Sequence, residues 1–103
     1  MARVGTYRFE AELWEYDGPA AWHFVTVPAE LSEDLRADAG PRRGFGSVRV
    51  RVTIGGSTWS TSVFPSKDGP FLLPVKRAVR RAEDLEVGDS VAVGLVVDAA
   101  DRR

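Results

Sequence analysis

Arg49 and Arg51 alternate along one stretch of this chain, Ser60 and Ser62 along the next, and Lys67 follows shortly after. Guanidinium groups present forked donors that match carboxylate and phosphate oxygens, and hydroxyl and ammonium groups add donors of the same kind. If these five residues share a face, the chemistry they offer is the holding of a small anion. Arg42 and Arg43 extend the basic character upstream, and Lys76, Arg77, Arg80 and Arg81 form a second basic group. Acidic residues lie near each group: Glu30, Glu33, Asp34 and Asp38 for the first, Glu83, Asp84, Glu86 and Asp89 for the second. Surface pairing of these charges is therefore the plainer alternative to an anion site. A further anion cradle is conceivable at the free N–H groups near Val75 and Lys76, if a helix starts there.

Groups that could break bonds are scarce. His23 is the sole histidine and sits between aromatic neighbours, with no local carboxylate or serine pattern to orient it as a base. Glu10, Glu12 and Glu15 read as a solvated strand face rather than a pair of catalytic acids. None of Ser32, Ser47, Ser57, Ser60, Ser62 and Ser66 lies in a nucleophile elbow. Gly44-Phe45-Gly46 precedes a strand and lacks the lysine of a phosphate loop, so it marks a bend or bulge. With no cysteine and one histidine, a structural zinc site is excluded in practice. No catalytic residue, metal site or cofactor is assigned. Trp14, Trp22 and Trp59 are possible stacking platforms. The alternation of its strand turns Trp14 away from Phe9 and Leu13 and makes it the candidate exposed aromatic, on a partner surface or at a bend.

The element that must position the five donors is a β-hairpin. Val48, Val50, Val52 and Ile54 alternate with Ser47, Arg49, Arg51 and Thr53, the period of a half-buried strand. Gly55-Gly56 supplies a two-residue turn, read as type I′ because glycine accepts positive φ at both central positions. The returning strand, Ser57 to Phe64, then sets Val52 opposite Trp59, Val50 opposite Thr61 and Val48 opposite Val63. Arg49, Arg51 and Thr53 face Ser62, Ser60 and Thr58 on the other side. Trp59 is thereby expected in the core.

Around the hairpin, Tyr7 to Trp14 alternates as a first strand ending at Asp17-Gly18-Pro19, and Trp22 to Val27 is a second strand antiparallel to it. Pro28 introduces a short amphipathic helix over Ala29 to about Ala37, anchored by Leu31 and Leu35 and ended by Gly40-Pro41. Phe71 to Leu73 forms a short strand, after which Pro74 opens a second helix. Its apolar stripe is Val75, Ala78, Val79 and Ala82, laid over a barrel opening with Arg77 and Arg81 wet. Ser90 to Val97 is a final strand, apolar on both faces and hence central, and Asp98 to Arg103 is expected to fray.

The whole is 103 residues with fourteen basic and fifteen acidic side chains. A single domain of this size buries roughly 60 to 65% of its unfolded surface. The net charge of −1 gives no global field to attract nucleic acid or anionic membrane. No stretch resembles a signal peptide or approaches the roughly 18 apolar residues of a spanning helix, so a soluble cytoplasmic protein is expected. Twelve arginines against two lysines, with abundant alanine, suggest a GC-rich bacterial coding sequence.

The segments Trp22-His23-Phe24-Val25-Thr26-Val27-Pro28, Ser62-Val63-Phe64-Pro65, Leu73-Pro74-Val75-Lys76 and Leu85-Glu86-Val87-Gly88-Asp89-Ser90-Val91, with the strand that follows Gly46, resemble a prokaryotic domain-of-unknown-function family, number nineteen-oh-five. The resemblance runs from about Tyr7 to Asp98. It implies a small closed or split β-barrel of about six strands with two short helices. In some relatives the barrel stands beside a second domain associated with bacteriocin protection, and this chain would be the barrel alone. The family is more distantly similar to the swapped-hairpin barrels of transition-state regulators and antitoxins, which bind DNA as dimers. No catalytic residue is carried over. The expectation is an all-β barrel acting as a non-catalytic binding or interaction module, monomer or homodimer, for a small anionic ligand or a protein partner. The expected anion site is Arg49, Arg51, Ser60, Ser62 and Lys67. The competing readings are a dimeric nucleic-acid binder, for which specific binding is not expected, and a small-molecule barrel with latent enzyme activity.

Overall fold

The computed structural model describes residues 6–18, 21–39, 46–67 and 69–97. Six strands and two helices follow in the order β1 (Thr6–Glu15), β2 (His23–Thr26), α1 (Ala29–Ala39), β3 (Val48–Ile54), β4 (Ser57–Pro65), β5 (Phe71–Pro74), α2 (Arg77–Ala82) and β6 (Ser90–Val97). The strands close into an antiparallel barrel in the order β1-β2-β5-β4-β3-β6, the fold class the sequence implies. Arg42, Arg43, the Gly40-Pro41 helix stop, Gly44-Phe45 and the tail from Asp98 fall outside the described residues.

The β3–β4 hairpin has the expected register throughout, from Ile54 opposite Ser57 to Val48 opposite Val63. Burial alternates without a break along β3: Val48, Val50, Val52 and Ile54 are buried, and Arg49, Arg51 and Thr53 are exposed. The turn differs from expectation. Gly55 has φ +57°, but Gly56 is not in the left-handed region, which is the φ pattern of type II′ rather than type I′. A Cβ at Gly55 would also displace the Glu83 carboxylate, the movable end of a side chain, so the positive φ is what favours glycine there. That carboxylate also accepts a hydrogen bond from Ser57 Oγ at 2.6 Å, tying the hairpin tip to the end of α2.

β6 lies between β1 and β3, paired with both, so it is central as expected. Its two faces are not equally covered, however. Val91, Val93, Leu95 and Val97 fill the barrel, whereas Ala92 and Val96 are exposed and Gly94 is half-buried. Nothing among the described residues covers the outer side of this sheet.

The helices close opposite ends of the barrel. α1 inserts Leu35 fully into the core and packs Leu31 partly against it. Its hold on the barrel is polar as well as apolar: Ser32, 1% exposed, donates to the Val27 carbonyl (3.2 Å) and accepts from the Phe71 N–H (2.9 Å). Arg36 lies 5.0 Å over the Phe71 ring, donates to the Gly69 carbonyl at 2.8 Å and pairs with Glu33 at 3.0 Å.

α2 is shorter than expected. Pro74 still belongs to β5, and the helix begins only at Arg77 with Lys76 as its N-cap. Val75 and Val79 are buried and Arg77 and Arg81 exposed, as expected, but Ala78 and Ala82 face solvent. The apolar edge is completed instead by Leu85, just past the helix.

Candidate functional site

β-sheet alternation places polar residues on the outside of β1, β3 and β4, on either side of the small and apolar outward residues of β6. Cross-strand pairing lines up Thr6, Val96, Arg51 and Ser60 in one row and Arg8, Gly94, Thr53 and Thr58 in the next. Arg49 and Ser62 form a shorter row on one flank, and Glu10 and Ala92 lie on the other. The register therefore brings four of the five predicted donors, Arg49, Arg51, Ser60 and Ser62, onto one face. Lys67 is exposed in the connection beyond Pro65, where no pairing places it beside them.

The predicted set sits on one side of a larger feature. A groove of about 570 Å³ runs over the outer side of β6, lined by Arg8, Glu10, Thr53, Gly55, Ala92, Gly94 and Val96 among others. Its floor is low because the outward residues of β6 are small. At Gly94 a Cβ would meet only ordinary van der Waals neighbours in Thr53, so packing alone does not demand glycine there. Arg8 lines the groove in the row of Gly94, and Arg51, in the row of Val96 on the far side of β6, stands just outside the lining, where Thr53 and Gly55 form the β3 edge. Glu10 lies one row beyond Arg8 and sets the sign of the other end. The signal that could have found Arg8 and Gly94 was present: a glycine in mid-strand marks a place where something approaches the backbone closely. In the sequence β6 is apolar on both faces and Arg8 is one charge of an alternating strand, so nothing local joins the two.

Several other candidates resolve differently. The acids near the basic groups do not neutralise the second one: among the described residues, the ion pair is Arg36 with Glu33 inside α1. Arg80 Nε donates to the Val75 carbonyl, and the Asp89 carboxylate accepts from the Glu86 N–H. The anion cradle at Val75 is not formed, since its N–H is taken by the His23 carbonyl at 3.0 Å and α2 has only six residues. His23 is half-buried, with Nδ1 3.0 Å from the Ala21 carbonyl; Glu15 is its cross-strand partner, but among the described residues no ion pair joins the two. Glu10, Glu12 and Glu15 are exposed. Among the described residues, no group of three or more histidine, cysteine, aspartate or glutamate side chains is placed to hold a metal ion.

The tryptophans exchange roles. Trp14 is half-buried rather than exposed, because its Nε1–H donates to Thr26 Oγ1 at 2.9 Å and its ring lies 5.2 Å from that of Phe24. Trp22 is the exposed one, at 53%, stacked on the other side of Phe24 at 6.1 Å and 12°. Trp59 faces inward in the predicted register but is only half-buried. It lines a smaller slot of about 200 Å³ with Trp22, Ser60, Thr61, Pro74, Val75 and Lys76.

No helix among the described residues is long and apolar enough to cross a membrane. A search of curated proteins finds no match to the chain. The sequence model of one family does match, over residues 9–95, which takes in all of the barrel apart from the first residues of β1 and the last of β6. With well over half of its length covered, this chain belongs to the family described as a domain of unknown function, DUF1905.

Proposed function

We propose that the domain is a non-catalytic binding module that takes a small anionic ligand on the outer face of the β1-β6-β3-β4 sheet. The observation that carries this reading is the pair of rows Thr6-Val96-Arg51-Ser60 and Arg8-Gly94-Thr53-Thr58. Arg8, Thr6 and Thr53 of these rows line the groove itself, and Arg51, Ser60 and Thr58 stand in the same rows beyond its β3 edge. Charge-assisted bonds from arginine to phosphate or carboxylate are short and strong, and hydroxyls complete the coordination without adding charge. Ser60, Ser62 and Arg49 extend the donor face; Lys67, in the connection after β4, is the further cation a longer anion would have to reach. Glu10 at the far end disfavours a polyanion running the length of the groove, which weighs against a nucleic-acid backbone and for a compact ligand.

A thermal-shift and calorimetric titration with inorganic phosphate, pyrophosphate and citrate tests the reading on wild type and on Arg8→Ala/Arg51→Ala. Both arginines are exposed, so the free variant should melt within a degree or two of wild type. A ligand at one hundred times its Kd should stabilise wild type by about 2.7 kcal/mol, and the double variant should lose that gain. Equal stabilisation of both proteins, or none in wild type with any of the three anions, would refute it. Duplex DNA bound as tightly as citrate at physiological salt would promote the regulator-like alternative.

A further inference from the structure

The slot between β4 and β5 is a consequence of where their pairing stops. The two strands are paired only at Phe64 with Leu72 and Pro65 with Phe71. Continuing that register would set Ser62 against Pro74, which has no N–H to donate, and the next N–H along, that of Val75, is engaged by His23. The chain then leaves the barrel wall at Lys76 to enter α2. β4, meanwhile, runs on in unbroken register with β3 to Ser57. A two-residue turn closes on a hydrogen-bonded pair, so Ser57, Trp59 and Thr61 direct their backbone groups to β3, and Ser60 and Ser62 direct theirs away from it. The bond from the Ser66 N–H to the Pro70 carbonyl, at 3.1 Å, has the same phase. The barrel wall is therefore split beside Ser60 and Ser62, and the split is the slot.

Its lining is chemically one-sided. Trp22 and Trp59 supply indole rings, Pro74 and Val75 supply aliphatic surface, and Ser60, Thr61 and Lys76 supply two hydroxyls and an ammonium, with no acidic residue. None of these polar side chains is hydrogen-bonded within the described protein. Trp22 is nonetheless held in place: it stacks on Phe24, Phe24 packs against Trp14, and Trp14 is anchored to Thr26 through Nε1. An exposed tryptophan pre-positioned on an aromatic neighbour that is itself braced costs little further ordering when a ring is laid on it. At about 200 Å³ the slot has room for a single substituted ring, below the roughly 300–1,000 Å³ of pockets for drug-sized ligands. It ends where Phe64 and Leu72 resume pairing, so a strand cannot run through it.

We infer that this slot is a binding site for a small aromatic carboxylate, its ring between Trp22 and Trp59 and its carboxylate on Lys76 with the hydroxyl of Thr61. The site is separate from the groove over β6 and needs neither Arg8 nor Arg51.

The test is an NMR titration of the full chain with benzoate, using benzamide as the uncharged isostere. The three tryptophans give three indole N–H signals. Those of Trp22 and Trp59 should move, and that of Trp14, already bonded to Thr26, should stay. Lys76→Gln should weaken benzoate by about tenfold, the loss of one charge-assisted bond, with benzamide unchanged, and Arg8→Ala/Arg51→Ala should bind benzoate as wild type does. Trp22→Ala, at an exposed position, should fold normally and lose binding. Benzamide bound as well as benzoate, indifference to Lys76→Gln, or no movement of the Trp22 and Trp59 signals would each overturn the assignment. Failure of the arginine-flanked groove to bind phosphate would leave it untouched.

Discussion

On one side of the barrel β1, β6, β3 and β4 are joined by ladders of seven, four and seven residue pairs, whereas on the other β2 and β5 are joined to each other and their neighbours by ladders of three, three and two. The long ladders come from alternation of inward apolar with outward polar or small residues, strictest in β3, so each strand has a preferred buried face and one register that keeps it buried. The short ones are cut by proline: Pro28 follows β2, and Pro74 ends β5. The difference separates two kinds of surface. Long ladders yield a broad, regular face on which side chains fall into rows, and interrupted ladders yield a split with unpaired backbone groups at its edge. Both candidate sites follow from this, the groove from rows and the slot from interruption.

The sharpest way to break the comparison is to truncate one large side chain on each side. Leu95 is fully buried between Tyr7 and Val52 in the long-ladder wall. Leu95→Ala should cost about 3 kcal/mol, the transfer of the lost atoms plus the cavity left behind. Trp22 is larger but lies outside the short-ladder wall, with Phe24 as its principal neighbour, so Trp22→Ala should cost no more than about 1 kcal/mol. Urea unfolding of both variants checks the ranking. If the two costs were equal, the short-ladder side would be holding the fold through its outer aromatics, and the division drawn above would fail.

A smaller effect is expected where polar bonds substitute for missing ladder on the short side. The Phe71 N–H, at the start of β5, is satisfied by Ser32 Oγ of α1 rather than by a strand, and the same hydroxyl donates to Val27 at the end of β2. Ser32→Ala would leave a buried N–H without a partner, at a cost of about 2 kcal/mol. Hydrogen exchange at Phe71 should accelerate more than at Val52, which is held within the long ladder. Unchanged exchange at Phe71 would mean that β5 is not fastened through α1.

The same division explains what could be read from the residues. The hairpin register, the extent of β6 and the burial of Val75 and Val79 follow from periodicity and a glycine turn, which are local signals, and they stand as read. The face shared by Arg49, Arg51, Ser60 and Ser62 was legible for the same reason. Arg8 and Gly94 were not joined to it, because their adjacency depends on β6 entering between β1 and β3, a pairing between distant parts of the chain. Trp14, expected exposed, is half-buried, because alternation tells inside from outside but not which outward aromatic finds a neighbour. The short start of α2 was missed because Pro74 suits the end of an edge-like strand as well as a first helical turn.

The smallest expected effect lies in the turn that carries the chain from α2 back to the long-ladder wall. α2 ends at Ala82, and Asp84 takes φ +56°, a left-handed conformation in which an L side chain is strained. Around it the Leu85 N–H bonds to the Arg80 carbonyl at 2.8 Å and the Asp84 N–H to that of Arg81 at 3.3 Å, the paired bonds of a Schellman motif in which glycine is the usual residue at this position. The motif also swings Leu85 against the core, completing the apolar edge that Ala78 and Ala82 do not supply. The Asp84 side chain is exposed, so removing it forfeits no packing, while glycine relieves the backbone strain. Part of that gain is offset by the greater freedom of glycine in the unfolded chain. Asp84→Gly should therefore stabilise the domain by up to about 1 kcal/mol, read as a higher urea midpoint with an unchanged slope. A lower midpoint would show that the aspartate supports the turn through its carboxylate, and that α2 closes its end of the barrel by side-chain bonds rather than by backbone geometry.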